Sequence, residues 1–369
     1  MPRLLAWFRS HPLTTICLAL IGCAVGTHLL ANWRAEVRWQ RYCTAARARG
    51  VKLTPAAESS AAGPNLAGLL NASKLSAQQI RTLLAAGDSA AAYAEFQNGC
   101  KIYPSWKNQP TLLSGMLQIT VRKLLAEVVG EGLRDRVWAE PELRKLEADL
   151  AATHIGADYR ESYAGERDFF NARCDELVAS SPLKRAQIYG GAAGIALIPQ
   201  AFFRDNQLRY NQQIDELLTR VSADGKRFDP DVPCPLSAAH LTGLIDPYYF
   251  FLAQQSARSL SWHIDYFIAQ QTQFDEARLA IALERFRLAH GGYPDTLAEL
   301  LPAFIAELPV ETYSRQPLIY RRKEGGTFLL YGVGQDRTDD GGVFDPTKSA
   351  TEQRDDIWPY APPPFPAAP

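Results

Sequence analysis

The chain has 369 residues, 47% of them hydrophobic and 21% charged, a composition typical of folded protein and long enough for two or three domains. A formal net charge of -1 excludes the broad positive field that gathers nucleic acid, so we expect no nucleic-acid partner. The one basic patch directly follows the most apolar segment and comprises Arg34, Arg38, Arg41, Arg47, Arg49 and Lys52.

The first predicted element is a membrane anchor over residues 12–32, after an N-terminal tail of residues 1–11. No charged side chain occurs between Pro12 and Ala31, and ~20 helical residues at about 1.5 Å each cross the ~30 Å hydrocarbon layer. An alternative is lipoprotein processing, because Leu20-Ile21-Gly22-Cys23 resembles a bacterial lipobox. Either interpretation attaches the chain to a membrane.

The six cysteines leave two interpretations open. Two of them lie in the anchor, and the other four are Cys43, Cys100, Cys174 and Cys234. These four permit two disulfides in an oxidising compartment, in any of three pairings, or they are buried free thiols. No Cys-x-x-Cys pair supports a structural zinc site.

The middle of the chain is predicted to be helical. Residues 33–64 form a basic helix and a linker rich in small residues and proline, and residues 65–235 form a helical domain. Leucines at helical spacing, such as Leu143, Leu146 and Leu150, mark its core. Residues 236–274 form a connecting helix rich in aromatic side chains, whose composition suits either a ligand groove or a helix wedged between domains.

Residues 275–360 form a separate C-terminal unit, followed by a Pro/Ala tail over residues 361–369. An amphipathic helix carrying Arg278, Glu284, Arg285 and Arg287 on its wet faces ends at Gly291. Thr296 and Glu299 form a capping box that opens a second helix, with Leu297, Leu300, Leu301 and Phe304 as its stripe. Runs at 318–322 and 328–333, joined by Gly325-Gly326, predict an antiparallel strand pair. The predicted fold class is α+β.

The order of motifs in this unit resembles the globular domain of the major pseudopilin of type II secretion systems. The residues that carry the resemblance are Ala282-Leu283-Glu284-Arg285-Phe286-Arg287, Gly292-Tyr293-Pro294, Leu308-Pro309, Leu318-Ile319-Tyr320, Tyr331-Gly332-Val333-Gly334-Gln335-Asp336 and Asp355-Asp356-Ile357. The resemblance implies a helix packed on a small sheet and a final loop closed by Ca²⁺. It places the calcium ligands among Asp336, Asp339, Asp340, Asp355 and Asp356.

The chain also departs from that family. No prepilin peptidase site precedes the apolar segment, and the usual Pro-x-Asp-Pro is replaced by Pro309-Val310-Glu311-Thr312. The whole chain resembles a group of uncharacterised bacterial membrane-anchored proteins. By composition alone the acidic turn is better explained as a solvated loop that needs no ion, and only the resemblance makes a calcium site an equal alternative. Its spacing is not that of an EF-hand.

Catalytic residues are sparse in the sequence. Glu161, Glu166 and Asp168, with His154 nearby, are the best acid or base candidates, but interleaved arginines favour a surface ion-pair helix. No metalloprotease, serine-hydrolase, phosphate-binding or dinucleotide-binding motif occurs. We therefore predict a non-enzymatic envelope protein that contacts other envelope proteins, with no small-molecule substrate identified. The alternative is a hydrolase of envelope polymers with its carboxylates in the helical domain.

Two kinds of sequence feature bear on the orientation of the anchor, and they favour opposite orientations. The arginines after the apolar segment outnumber Arg3 and Arg9 before it, which favours a cytoplasmic C-terminal portion. A long C-terminal portion is translocated largely regardless of charge, and a calcium-binding turn suits the calcium-rich side of a membrane. We predict a single-pass protein of the bacterial inner membrane with most of the chain outside the cytoplasm.

Overall fold

Helices dominate the chain. In the computed structural model, the described residues are 12–53, 66–102, 111–188, 191, 193–232, 249–260, 263–343 and 355–360. Within them lie the α-helices α1 (Pro12–Ala48), α2 (Leu66–Ala85), α3 (Ser89–Lys101), α4 (Leu112–Arg134), α5 (Glu140–Ala151), α6 (Ile155–Ala179), α7 (Pro182–Ile188), α8 (Ala193–Ala196), α9 (Gln200–Leu218), α10 (Phe251–Leu260) and α11 (His263–His290). A three-stranded sheet follows, with β1 (Ile319–Lys323), β2 (Thr327–Gly332) and β3 (Asp356–Ile357). The predicted mainly helical chain with a small antiparallel sheet is confirmed.

Helix α1 confirms the predicted apolar helix and is long and apolar enough to span a membrane. Its first part exposes large apolar side chains: Leu13, Ile16, Leu18, Leu20, Ile21, Val25, Leu29 and Leu30. Its second part buries Ala35, Trp39, Cys43 and Ala46, at the spacing of three to four residues that defines one helix face. Gly50, with a φ of 79°, follows the helix in the left-handed conformation typical of C-terminal caps.

The chain divides into two compact units, each assembled from separate segments. Unit 1 comprises Met1–Glu58, Arg167–Asp215 and Pro235–Ser259, and unit 2 comprises Ser59–Glu166, Glu216–Cys234 and Leu260–Pro369. This division differs from the sequential boundaries predicted at 65–235, 236–274 and 275–360. The physical reason is that α6 and α9 each continue from one unit into the other, so one helical segment serves two cores.

Unit 1 is held together by polar side chains inside a helical core. The fully buried Asn206 donates to the backbone carbonyls of Phe202 and Tyr249 and accepts from the amide of Ala253. It thereby fixes α10 to α9. Asn171 on α6 and Asn211 on α9 exchange side-chain hydrogen bonds of 3.2 and 2.6 Å. Each of these buried amides is satisfied, as burial requires.

Unit 2 has an aromatic core. The ring of Tyr159 lies 4.2 Å from that of Tyr163, and it meets Phe228 and Phe267 edge-on at 5.9 and 5.2 Å. These are ordinary separations for stabilising aromatic pairs. The predicted leucine stripe of α5 is confirmed, because Leu143, Leu146 and Leu150 are buried.

The sheet is a hairpin extended by one short strand. Strands β1 and β2 pair in antiparallel register with Tyr320 opposite Leu330, and β3 joins the other edge of β2. Gly325 and Gly326 form the predicted turn at φ values of 74° and 71°, which strongly favour glycine. Helix α11 packs against β2 as well as against α4 and α5.

The predicted second helix of the C-terminal unit is wrong beyond its first turn. The capping box of Thr296 and Glu299 is present, but it opens only the 3-10 helix Leu297–Leu300. Leu301 already has an extended backbone, with ψ 144°. Pro302 explains the stop, because a proline disfavours helical conformation in the residue before it and lacks an N–H donor.

The expectation that the charged side chains of α11 face water is also wrong. Glu284 and Arg285 are 3% and 6% exposed. Arg285 donates to the carbonyl of Phe304 (2.7 Å), and Tyr293 donates to Glu284 (2.9 Å). Because α11 is covered on several sides, these two charged residues are buried with partners rather than solvated.

Some predictions fall outside the described residues, namely the N-terminal tail, the linker at 54–64, the first part of the connecting helix and the C-terminal tail. The described cysteines are free thiols, with Cys43 and Cys174 buried, while Cys234 lies outside the described residues.

Candidate functional site

The first candidate site is the part of unit 1 that adjoins the apolar segment, where α1 and α9 run side by side. The amide of Ala201, at the start of α9, donates to Asn32 Oδ1 (2.8 Å). Farther along both helices, the hydroxyl of Tyr42 donates to Asp215 (2.9 Å). Since residue numbers rise together, the two helices are parallel, and the N-terminus of α9 lies level with the end of the apolar segment.

Asp215 collects three donors. Besides Tyr42, Arg49 donates to it at 2.8 Å and Arg167 at 3.2 Å. The side chain of Arg167 is 4% exposed, so this pair is largely removed from water. Burial and then the Asp215 carboxylate raise the pKa of Tyr42. The tyrosine therefore stays a neutral donor, and the cluster fixes the end of α1 to α6 and α9.

Arg204 makes a second junction closer to the apolar segment. It donates to Glu36 (2.7 Å), pairs with Asp175, and lies 6.0 Å from the ring of Trp39. Glu36 and Trp39 lie on the first two turns of α1 after residue 32, and Arg204 lies on the neighbouring helix α9. The chain is therefore packed and hydrogen-bonded directly after the apolar segment.

The second candidate site is the C-terminal acidic turn, whose five aspartates are placed differently from one another. Asp336 is exposed and accepts from the amide of Thr338, two residues on (3.0 Å). Asp339 accepts from the Tyr331 hydroxyl (2.7 Å) and from the Gly341 amide (2.8 Å). These bonds lower the pKa of Asp339.

The remaining predicted ligands lie deeper. Asp355 is 2% exposed and accepts from the amides of Asp340 (3.3 Å) and Gly342 (2.8 Å), so its carboxylate closes the turn. Asp356 is mostly buried in β3; burial, then Glu311 and Asp355, raises its pKa to about 6. The structure thus gathers Asp339, Asp340 and Asp355 at one turn, whereas Asp336 accepts within its own turn and Asp356 belongs to β3.

Calcium needs roughly six to eight oxygens at about 2.3 to 2.6 Å. Among the described residues, no three His, Cys, Asp or Glu side chains are grouped closely enough to hold a metal ion. The carboxylates of Asp339 and Asp355 are turned toward backbone amides, so an ion would have to compete with those bonds. Calcium therefore stays a prediction from the resemblance, with Asp339, Asp340 and Asp355 as the ligands that share a turn.

A group of buried acids on α11 was missed by the sequence reasoning. Asp275 and Glu276 are 7% and 4% exposed. Burial raises the pKa of Asp275 to about 6, although Gln271 and Arg278 lower it. Burial, then Asp356 and Asp275, raises the pKa of Glu276 well above its usual range. The only signal in the sequence was their position at the start of an apolar stripe, which resembles an ordinary solvated helix start.

Two of the carboxylates proposed for an enzyme, Glu161 and Glu166, lie on different faces of α6. Glu161 is exposed, whereas Glu166 is half-buried, and five residues on a helix separate them by about 140°. Burial raises the pKa of Glu166, against a hydrogen bond from the amide of Leu112. The interleaved Arg160 donates to the carbonyls of Leu218 and Val221 instead of pairing along α6.

Of the two candidate sites, the first is the better defined. Its geometry suits attachment, because an exposed apolar helix continues directly into a hydrogen-bonded helix pair. The pseudopilin resemblance and the absence of an enzymatic role stay predictions. Comparison of the chain with protein-family models, with curated proteins and with solved structures found no match.

Proposed function

We propose that this chain is a single-pass protein of the bacterial inner membrane with a non-enzymatic, structural or interaction role in the envelope. The observation that carries the proposal is the change of burial along the unbroken helix α1. Its first part presents apolar side chains on all faces, and its second part buries one face in unit 1. A helix built this way holds unit 1 at a defined distance from the bilayer.

We further propose that the rest of the chain lies outside the cytoplasm, in contact with other envelope proteins. The length of the chain beyond α1 supports it, because long portions are translocated largely regardless of flanking charge. The order of motifs shared with pseudopilins supports a secretion-related setting and a calcium-stabilised C-terminal turn. The hydrolase of envelope polymers stays a hypothesis, and no placement of Glu161, Glu166 or Asp168 favours it.

Membrane extraction tests the anchor. The full chain is expressed, membranes are isolated, and peripheral proteins are removed with alkaline carbonate. We expect the wild type to stay in the membrane and the double variant Leu20→Arg/Val25→Arg to be lost from it, because each arginine near the bilayer centre costs about 2.5 to 3.5 kcal/mol. The control is Leu75→Arg/Leu113→Arg, which charges two exposed leucines outside α1 and should change nothing.

A third variant separates a spanning helix from a lipid anchor. If α1 spans the membrane, Cys23→Ser changes the mass of the mature protein only by the exchange of sulfur for oxygen and leaves its resistance to carbonate unchanged. Loss of a lipid mass together with loss of attachment would show that Cys23 is acylated and would replace the spanning helix with a lipoprotein anchor. Release of the wild type by carbonate would reject membrane anchoring altogether.

A further inference from the structure

Unit 1 carries a second apolar feature beside the anchor, in the segment that joins α7 to α9. Leu197 is 85% exposed, more than any other large apolar side chain among the described residues, and Leu183 on α7 is 71% exposed. Residues 193–199 have no charged side chain. Exposed apolar side chains that lie together are typical of surfaces that contact a partner or a membrane.

The position of Leu197 is fixed by the pairing of α9 with α1. Leu197 lies four residues before Ala201, whose amide is bonded to Asn32. At the ~3.5 Å that one residue spans at most, Leu197 is within about 14 Å of that bond. Because α9 runs parallel to α1, the chain before its N-terminus extends toward the apolar part of α1. Trp33, 64% exposed beside Asn32, is the residue type enriched at the bilayer surface.

The segment is held in place rather than loosely attached. Arg185 is 5% exposed and donates to the carbonyl of Leu177 (2.6 Å) and to that of Ile198 (3.0 Å). Gln200 donates to the carbonyl of Val178 (3.1 Å). The backbone directly after Leu197 is therefore tied through Arg185 and Gln200 to the end of α6, while the leucine side chain itself is exposed.

We propose that the segment around Leu197 inserts into the interface of the same bilayer that α1 spans, so that unit 1 touches the membrane at two places. This inference rests on the membrane anchor proposed above. Moving an exposed leucine into the acyl-chain boundary is favourable because it removes apolar surface from water. Two exposed cations of unit 1, Lys184 on α7 and Arg34 directly after the apolar part of α1, suit anionic headgroups. Two contacts restrain the tilt of unit 1, which a single helix does not.

Fluorescent depth measurement tests this contact on the full chain. The six native cysteines are replaced by alanine or serine, one cysteine is introduced at a time, and each is labelled with the environment-sensitive dye NBD. The labelled chains are placed in vesicles that contain phosphatidylglycerol, with or without lipids brominated along their acyl chains. The positions are Leu197→Cys, Leu183→Cys, Leu20→Cys in the anchor and Leu75→Cys, an exposed leucine of unit 2.

We expect brominated lipid to quench the dye at positions 20 and 197 at least twofold more than at position 75, with a blue-shifted emission at both. If position 20 is quenched and position 197 matches position 75, the second contact is rejected and the anchor stands. If position 20 is also unquenched, the anchor and the second contact fail together. Quenching at 183 as well as 197 would extend the contact to α7, and equal melting temperatures across the variants confirm that each is folded.

Discussion

Glu276 occupies an environment that opposes the charge of its carboxylate. Its Oε1 atom is inaccessible to water and has no hydrogen-bond partner among the described residues. The nearest charges are those of two further acids, Asp356 and Asp275. Since a buried carboxylate without a cation is costly, the folded chain favours the protonated form of Glu276.

This environment predicts that Glu276→Gln stabilises the protein at neutral and alkaline pH. A carboxyl whose pKa is raised on folding contributes stability below its unfolded pKa, and that contribution is lost as the pH rises through the folded pKa. For Glu276 the loss begins near its ordinary value of 4.5 and continues upward. We therefore expect the variant to melt at a higher temperature than the wild type at pH 8, with the difference shrinking toward pH 5.

Thermal melting of the full chain in detergent, followed between pH 5 and pH 8, measures the effect. Glu161→Gln is the matched control, because it neutralises an exposed glutamate. Its melting curve should follow that of the wild type at each pH. A lower melting temperature for Glu276→Gln at pH 8 would contradict the argument and would mean that a cation or donor compensates the charge.

At the scale of helices, Gly115 of α4 lies directly against Ser162 of α6. A Cβ atom built on Gly115 would lie 2.1 Å from Ser162 Oγ and 3.0 Å from Ser162 Cβ. Ser162 is 3% exposed and has little room to move. The glycine is therefore required by the distance between the two helices.

Gly115→Ala separates packing from helix propensity. Propensity alone predicts a gain of about 1 kcal/mol for alanine in a helix, whereas overpacking costs typically 1 to 3 kcal/mol. With a contact of 2.1 Å we expect overpacking to dominate and the melting temperature to fall. Gly194→Ala is the control, since nothing lies within 4 Å of its Cβ position. Adding Ser162→Ala to Gly115→Ala should restore part of the loss; a stabilised single variant would refute the close approach.

The terminal turn provides a test of calcium. If the resemblance to pseudopilins holds, calcium binds the folded turn and raises the free energy of unfolding by about 2.7 kcal/mol at 100 times its Kd. We expect a higher melting temperature for the full chain in calcium than in EDTA, with Asp339→Ala removing the difference. Asp224→Ala is matched to it, because Asp224 also accepts from an amide two residues on, in a different turn. Identical melting curves in the two buffers reject the ion.

Local signals predicted local structure well. The glycine pair at 325–326, the cap at Gly291 and the leucine stripe of α5 each depend on residues close in sequence, and each is confirmed. The second C-terminal helix failed at Pro302 even though its capping box formed. The raised pKa of Glu276 was not predictable from periodicity, because after burial its next cause is the charge of Asp356, a residue of β3 far along the chain.

At the scale of the whole molecule, the two compact units are not contiguous in sequence, and the domain boundaries read along the chain stay a prediction. Helices α6 and α9 contribute to both units, and composition along the chain changes little where one unit ends. Helix α1 was predictable because its signal is local: a charge-free apolar run followed by a face of Ala35, Trp39, Cys43 and Ala46. How this helix is oriented depends on translocation, which its own contacts do not determine.

Two reporter fusions test the orientation of α1 in the membrane. Alkaline phosphatase is active only outside the cytoplasm and green fluorescent protein folds efficiently only inside it. We expect a phosphatase fused after Pro369 to be active and a fluorescent protein fused there to stay dark. Phosphatase placed before Met1 should be inactive, since α1 crosses once. The reverse pattern would place the cations that follow α1 on the cytoplasmic side, as charge alone predicts. It would also remove the calcium-rich surroundings that the terminal turn needs, because cytosolic free calcium is scarce.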